Sequence, residues 1–393
     1  MFERFYRNII FKFLDNIEKG TIVLNDDISK TFGNGNPVVT LEIVSPIFYK
    51  RAVLGGDLGF AESYAKSEWF TSNLTDLITI LILNKEKLSG LNIGWGSITK
   101  LFAKIGHWRR KNTLSGSKRN IQEHYDLSNE MFMTFLDDTM TYSCGFFETE
   151  NDSLYQSQIN KIDKILNKAK IKSDDHILEI GSGWGALAKR AASKTGCKVT
   201  TITLSERQHS YVKEMIEREG LQDNIDVQLI DFRKIEGSYD KIISVEMIEA
   251  IGFDLFNSYF SRIESLMKPN GVAVIQAITY PDKNYDAYRK GCDFIQKFIF
   301  PGSLLPSVAT MKNSVSLTSM EVDDLERIGP HYATTLNLWN KNFNDNIEEI
   351  KNLGFDQYFI NLWSYYFSYC EAGFANGTID DVQLVLKGGK ANA

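Results

Sequence analysis

The segment Ile177-Leu178-Glu179-Ile180-Gly181-Ser182-Gly183-Trp184-Gly185 constrains the fold more than any other part of the chain. Its first four residues, three of them aliphatic, read as a buried parallel strand. The glycines then make a tight turn, and Ala186 to Ser193 reads as the start of a helix. Such a turn lets backbone approach a ligand closely and exposes the orphan N–H groups of the helix start. Taken alone, the pattern is open between a nucleotide-type site and a turn with no ligand.

The neighbouring pattern extends this unit. Leu154 to Ala169 has the spacing of an amphipathic helix, and His176–Ile180 is the first strand. Lys198–Thr203, Ile225–Ile230, Tyr239–Val245 and Gly271–Ile278 supply four more strands, with a helix over Ser205–Glu219. Alternation of this kind predicts an α/β fold with a doubly wound, mostly parallel sheet, whose ligands bind at the carboxyl ends of the strands. Residues 1–90 mix short β-like runs such as Val38–Val44 with helical runs such as Asn73–Leu83, and read as a smaller N-terminal α+β domain. Residues 91–120 interleave glycines with Lys104, Arg109, Arg110, Lys111, Lys118 and Arg119 and read as a basic linker. That stretch suits a solvated connector or a patch on phospholipid headgroups. Residues 121–393 form the expected catalytic domain.

Composition narrows the function classes. With 393 residues, 43% hydrophobic and a formal net charge of −6, nothing in the overall charge favours nucleic acid. Cys144, Cys197, Cys292 and Cys370 show no paired spacing, which points to a reducing compartment. The five histidines form no metal set with a cysteine pair, so no metal is expected. No run of 18 apolar residues predicts a transmembrane helix, and the N-terminus carries no pattern of a cleaved signal. Phe2, Phe5, Tyr6, Ile9, Ile10, Phe13, Leu14 and Ile17 fall at helical spacing among Arg4, Arg7 and Lys12. This suits a helix on an anionic membrane surface or one packed on its own domain.

On the ligand side, the spacing G-x-G-x-G departs from the dinucleotide fingerprint, and Glu179 precedes it. Thr203-Leu204-Ser205-Glu206-Arg207-Gln208 follows the second strand, with Ser205 reading equally well as a helix N-cap. Asp231-Phe232 follows the third and offers a carboxylate and a ring for an adenine, or a plain turn.

Several separate motifs resemble the cyclopropane-fatty-acyl-phospholipid synthase family of S-adenosylmethionine-dependent methyltransferases. They are Asn120-Ile121-Gln122-Glu123-His124-Tyr125-Asp126-Leu127-Ser128-Asn129, Met140-Thr141-Tyr142-Ser143-Cys144-Gly145-Phe146-Phe147, the glycine turn, Thr203–Gln208, Glu246–Gly252, Phe298–Gly302 and His331–Leu336. Gly55–Tyr64 extends the resemblance to the longer, two-domain members, so it covers almost the whole chain.

The resemblance implies cyclopropanation of cis double bonds in phospholipid acyl chains, with a branched or methylene chain, or an N-methylated amine, as the alternative product. It implies S-adenosylmethionine as methyl donor, held by Tyr142, Ser143, Gly181 and the Thr203–Gln208 segment with its Thr203, Leu204, Ser205 and Gln208; Glu179, Gly183, Gly185, Asp231 and Phe232 join them as candidates from the pattern of the strand ends. It also implies a bicarbonate ion held by Cys144, Glu249, Gln276, Ile278 and Tyr332. Gln276 stands where the best-studied synthases have histidine; an amide donates and accepts hydrogen bonds but is no acid or base near neutral pH. Glu246 lies three residues before Glu249 and offers a carboxylate dyad; the motif match favours Glu249. The expected location is cytoplasmic, on the inner membrane surface, and a homodimer is compatible with the family.

The chemistry asks for these residue types independently. Methyl transfer to an alkene leaves a carbocation, which requires a dry site and π faces near the positive centre. Tyr142, Phe146, Phe147, Tyr280, Tyr285, Tyr288, Phe294, Phe298 and Phe300 supply such faces or ordinary core packing. His124 and His331 read as structural hydrogen-bonding groups.

Overall fold

A computed structural model describes residues 2–89 and 128–388. The expected basic linker and most of the Asn120–Asn129 motif, His124 included, lie outside the described residues. The chain divides into two compact units, one of residues 1–109, 290–299 and 336–378, the other of residues 110–289, 300–335 and 379–393. The expected boundaries place everything after residue 120 in one domain; the structure instead returns two later segments to the first unit. The reason is legible in the helix Gln357–Ala375, whose Trp363, Tyr365, Tyr366, Phe367 and Phe374 are all buried. A helix apolar around most of its circumference needs partners on several sides.

The first unit carries a four-stranded sheet in the order β2-β1-β3-β4, formed by β1 (Gly20–Asn25), β2 (Ser29–Asn34), β3 (Val38–Ile43) and β4 (Trp69–Thr71). Helix Ile47–Ala65 and helix Leu74–Leu83 accompany it, the latter capped by Asn73, whose side chain accepts the Asp76 N–H. The N-terminal helix Phe2–Leu14 packs within this unit: Arg7 pairs with Asp26 and Asp27, Phe11 meets Phe32 edge-on, and Leu14 is buried. Phe5 remains exposed. No helix among the described residues is long and apolar enough to cross a membrane.

The second unit is the expected doubly wound sheet. Seven strands run in the order β10-β11-β9-β8-β5-β6-β7. They are β5 (His176–Ile180), β6 (Lys198–Thr203), β7 (Ile225–Leu229), β8 (Tyr239–Val245), β9 (Met267–Thr279), β10 (Glu321–Arg327) and β11 (Asp380–Lys387). The first five pair in parallel, and β10 and β11 add antiparallel at one edge. Sequence pattern alone missed these two: β10 is acid-rich and mostly exposed, and β11 follows a long helical stretch. Chain order reverses between β5 and β8, so the carboxyl ends of those strands form the switch point at which such sheets bind ligands.

One sheet face shows how the site is positioned. In β9, Val272 and Val274 pack with Val385 of β11 beneath Ile162, Ile165 and Ala169 of helix Leu154–Ala169. Towards the carboxyl end of β9 the same face turns polar: Gln276 pairs with Gln383, and Ile278 with Asp381. The helix follows suit, placing Gln158 and Lys161 in the buried set one turn before Ile162 and Ile165. Along this face, therefore, the core changes from hydrocarbon to hydrogen-bonded side chains just where β8 delivers Glu246.

Candidate active site

Glu246 is the hub of the polar cluster. It is the first residue after β8, and its backbone takes a left-handed φ of 49°. Its N–H donates to the Gln276 carbonyl at 2.8 Å, which fixes it against β9. Its carboxylate accepts the Cys144 N–H at 2.9 Å and the Gln276 amide at 2.8 Å on Oε1, and the Tyr332 hydroxyl at 2.7 Å on Oε2. Protein surrounds Glu246, yet the residue keeps some accessible surface. Burial pushes its carboxyl up; the Cys144 and Tyr332 hydrogen bonds, the charge of Lys161 and the Gln276 amide pull it only part of the way back.

Around the hub lie groups that settle its charge. Gln276, fully buried, bridges two acids: its amide also donates to Asp381 Oδ2 at 2.9 Å, while its carbonyl accepts from Gln383 at 3.1 Å. Burial beside Glu246 and Glu249 holds Asp381 well above the usual carboxylate range. Three donors serve Glu246 and one serves Asp381, which favours the charged form at Glu246 over the charged form at Asp381. Lys161, only 2% exposed, donates to Ser143 Oγ at 2.7 Å and supplies the balancing cation; burial lowers its pKa and Glu246 raises it again. Ser143 is held further by Gln158, whose amide donates to its carbonyl at 2.8 Å.

Glu249 stands beside this cluster rather than in its centre. Its Oε1 accepts the Ile278 N–H at 2.5 Å, and its buried Oε2 has no hydrogen-bond partner among the described residues. Burial, reinforced by the charge of Glu246, pushes it up to about 8. The neutral acid is thus the resting form near pH 7. Cys144 enters through its backbone; burial drives its thiol well above its ordinary pKa, which leaves it inert as a nucleophile.

The glycine turn lies at the end of β5, next to β8. Gly181, Gly183 and Gly185 have φ of 97°, 49° and 88°. At Gly183 nothing among the described residues lies within 4 Å of where a side chain would begin. Trp184 in the turn packs at 4.9 Å on Phe132, and Tyr142 meets Phe132 and Phe135 edge-on. This aromatic wall joins the turn to the Tyr142-Ser143-Cys144 segment and extends to Phe300 at 6.3 Å. Glu179 is buried between strands, accepts the Thr201 hydroxyl at 2.5 Å, and is pushed up to about 8 by burial. Ser205 caps helix Glu206–Glu219 by accepting the Gln208 N–H, and Thr203 donates to Gln208 Oε1 at 2.8 Å. Leu204 lies between these two. Asp231 is paired with Arg233, and Phe232 packs edge-on against Tyr259 in the core. The structure fits an adenosyl ligand best at the Gly181–Gly185 cradle.

Comparison with known proteins shows the family of this fold. The sequence profile described as mycolic acid cyclopropane synthetase matches residues 112–384. This chain belongs to the mycolic acid cyclopropane synthetase family. Tuberculostearic acid methyltransferase UfaA1 of Mycobacterium tuberculosis is 38% identical over 353 residues, 84% of this chain and 79% of that protein. Cyclopropane-fatty-acyl-phospholipid synthase of Escherichia coli (strain K12) is 31% identical over 363 residues, 91% of this chain and 90% of that one. Among solved structures, mycolic acid cyclopropane synthase CmaA1 complexed with SAH and CTAB superposes with a TM-score of 0.65 at 30% identity, covering 69% of this chain and 98% of that one. The mycolic acid cyclopropane synthetase fold, that of the S-adenosylmethionine methyltransferases, is the fold of the second unit.

The residues singled out in sequence are brought together in part. Cys144, Gln276 and Tyr332 converge on one point, and Ile278 and Glu249 form a pair beside it. The point of convergence is the chain's own Glu246. A bicarbonate ion does not fit this arrangement. The Cys144, Gln276 and Tyr332 donors already serve Glu246, and the Ile278 N–H serves Glu249. A further anion would meet the Glu246 carboxylate, with the Cys144, Gln276, Tyr332 and Ile278 donors already engaged. His331 accepts the Phe147 N–H at 3.3 Å and is held by Phe146, a structural hydrogen-bonding role. Phe294 and Phe298 pack with each other in the first unit, where Phe294 meets Tyr365 and Tyr369. Sequence reasoning missed Lys161, Asp381 and Gln383. For Lys161 there was a signal: a lysine on the apolar face of an amphipathic helix, between Gln158 and Ile162.

Proposed function

We propose that this protein is an S-adenosylmethionine-dependent lipid methyltransferase that acts on cis double bonds in phospholipid acyl chains, with the cyclopropane as product. The observation that carries the reading is the buried carboxylate cluster at the β5/β8 switch point, flanked by the Tyr142–Phe132–Phe135 wall. When bound, S-adenosylmethionine supplies an electrophilic methyl group on a sulfonium. The chain's residues do the rest. Gly181, Gly183 and Gly185 present backbone to the cofactor. Aromatic faces stabilise positive charge without offering a lone pair to trap it. The enclosure of the cluster keeps water from the carbocation. A fixed negative charge beside the cationic centre lowers the barrier in a medium where electrostatics is weakly screened. The substrate lies in a bilayer, so docking of the protein on an anionic inner membrane surface belongs to the same proposal.

Purified protein, unsaturated phospholipid vesicles and methyl-labelled cofactor test it. Label in the acyl chains, a mass gain of one CH₂, and upfield ring methylene protons by NMR are expected. Label confined to an amine, with lipid untouched, would overturn the lipid reading.

A second product class is favoured by one observation. Gln276 sits at the heart of the cluster and cannot change its protonation, and a relative 38% identical is named a tuberculostearic acid methyltransferase. On that reading the cation loses a proton to give an alkene, either a methylene branch after a hydride shift or a methyl-bearing double bond in the chain, seen as vinylic or methyl protons in the same spectrum.

A further inference from the structure

We infer that Glu246 is the reaction's built-in anion and proton acceptor, and that this enzyme works without any dissociable anion at that place. The inference rests on the function proposed above for its chemistry, and on geometry alone for its site.

Three donors from three separate parts of the chain converge on this one carboxylate: the Cys144 N–H, the Gln276 amide and the Tyr332 hydroxyl, all within 2.9 Å. An assembly of this kind is an anion-binding site whose anion is covalently attached. The backbone adds independent support. Glu246 holds a φ of 49°, a region natural to glycine and costly for a side chain with a Cβ, by about 1 kcal/mol. Such strain is retained where the side chain is needed. The surroundings then fix its charge state. The three donors favour negative charge on Glu246 over the neighbouring Asp381, which receives one, and Lys161 supplies the opposite charge from the helix above. Glu246 itself is not fully closed off, since the residue keeps some accessible surface.

The step balances without any further reagent. The alkene's π pair forms a bond to the methyl carbon, and the sulfur–carbon bond breaks with its pair left on sulfur. The cation on the acyl chain then loses a proton from the new methyl group to the Glu246 carboxylate. The released C–H pair closes the three-membered ring, and the protonated carboxyl returns its proton to solvent. Loss of a proton from the neighbouring chain carbon instead gives an alkene by the same bookkeeping.

The test compares wild type, Glu246→Gly and Glu246→Gln in CO₂-free buffer and with added bicarbonate. Glycine suits the backbone at this position, so Glu246→Gly is expected to fold, and Glu246→Gln keeps the side-chain volume. Wild type should turn over unsaturated vesicles at the same rate with and without bicarbonate. Both variants should lose about a thousandfold. Glu246→Gly, whose donors are freed, should regain about tenfold or more on addition of bicarbonate, and Glu246→Gln should not. A second readout needs no substrate: bicarbonate should raise the melting temperature of Glu246→Gly saturably and leave wild type unmoved. A wild-type rate that collapses in CO₂-free buffer and recovers with bicarbonate would overturn the inference. So would bicarbonate stabilisation of wild type, or full activity in Glu246→Gly. If wild type methylates no lipid at all, the function reading fails, and the melting experiment still decides whether Glu246 fills the anion site.

Discussion

The ends of β5 and β8 lie side by side in one sheet, yet they are built by opposite means. The turn after β5 is a local structure. Its three glycines, with φ of 97°, 49° and 88°, expose backbone, and little else is required of the rest of the chain. The cluster after β8 is wholly tertiary. Glu246 meets Cys144, 102 positions away, and Tyr332, 86 positions away, while Asp381 reaches Gln276 from 105 positions off. A local device tolerates change in its surroundings and fails only when its own backbone is altered. A tertiary polar cluster fails when any one partner is lost, because every buried group then lacks its counterpart. Replacements in the two regions separate these behaviours.

The largest effect is expected from Lys161→Met. Lys161 is the balancing cation beside Glu246 and Asp381, and its removal leaves buried negative charge uncompensated. Loss of one partner of a buried charge pair costs about 3–5 kcal/mol. Urea denaturation should show this as a lowered midpoint. A variant as stable as wild type would show that the cluster is not coupled through Lys161.

Tyr332→Phe removes one donor from Glu246 and adds no charge. Turnover should fall by about 10–100-fold, while cofactor affinity by calorimetry stays near wild type, since the group removed is the hydroxyl that donates to the carboxylate. An equal loss in cofactor affinity would merge the two regions that the comparison separates.

Acidity sharpens the same contrast. Glu249 is pushed up to about 8 by burial and by Glu246, from an ordinary value of 4.5. Between pH 4.5 and 8 the folded state therefore holds a proton that the unfolded state has released. Stability falls as pH rises through that window, by about 1.4 kcal/mol per pH unit for one such group, and levels off above it. Glu249→Gln removes this contribution, so its midpoint in urea should fall less steeply from pH 5 to pH 8 than that of wild type. Glu179, also pushed up to about 8, keeps part of the slope in both proteins.

These outcomes follow the line between what sequence pattern reveals and what it hides. The strand-turn-helix at residues 176–195 is visible because period and glycine spacing are local properties. So are the Ser205 cap and the five parallel strands. Cys144, Gln276 and Tyr332 were singled out through family resemblance, yet their common target was not, since the pattern favoured Glu249 over Glu246. Only the register of β8 on β9, Val245 opposite Gln276, sets Glu246 over the donors. Asp381 and Gln383 were invisible for the same reason: their meaning depends on β11 pairing antiparallel with β9. The apolar helix Gln357–Ala375 carried its message in composition, but which unit it joins is a property of packing.

The smallest effects belong to the glycine turn, where two substitutions of equal size should diverge. At Gly185 a Cβ would lie 2.6 Å from Met215 Cε and 3.2 Å from Val212, at a φ of 88°. Gly185→Ala therefore combines backbone strain with overpacking, about 1–3 kcal/mol in stability, eased to the extent that the Met215 tip can swing away. At Gly183 a Cβ would meet nothing within 4 Å among the described residues, at a φ of 49°. Gly183→Ala should cost only about 1 kcal/mol in stability, yet its methyl would project into the open space proposed for the adenosyl ligand. Melting temperature should thus single out Gly185→Ala, and calorimetric titration with S-adenosylhomocysteine should single out Gly183→Ala. If Gly183→Ala binds like wild type, the cradle lies elsewhere at the end of β5, and the division between a backbone-built cofactor site and a side-chain-built reaction site must be redrawn.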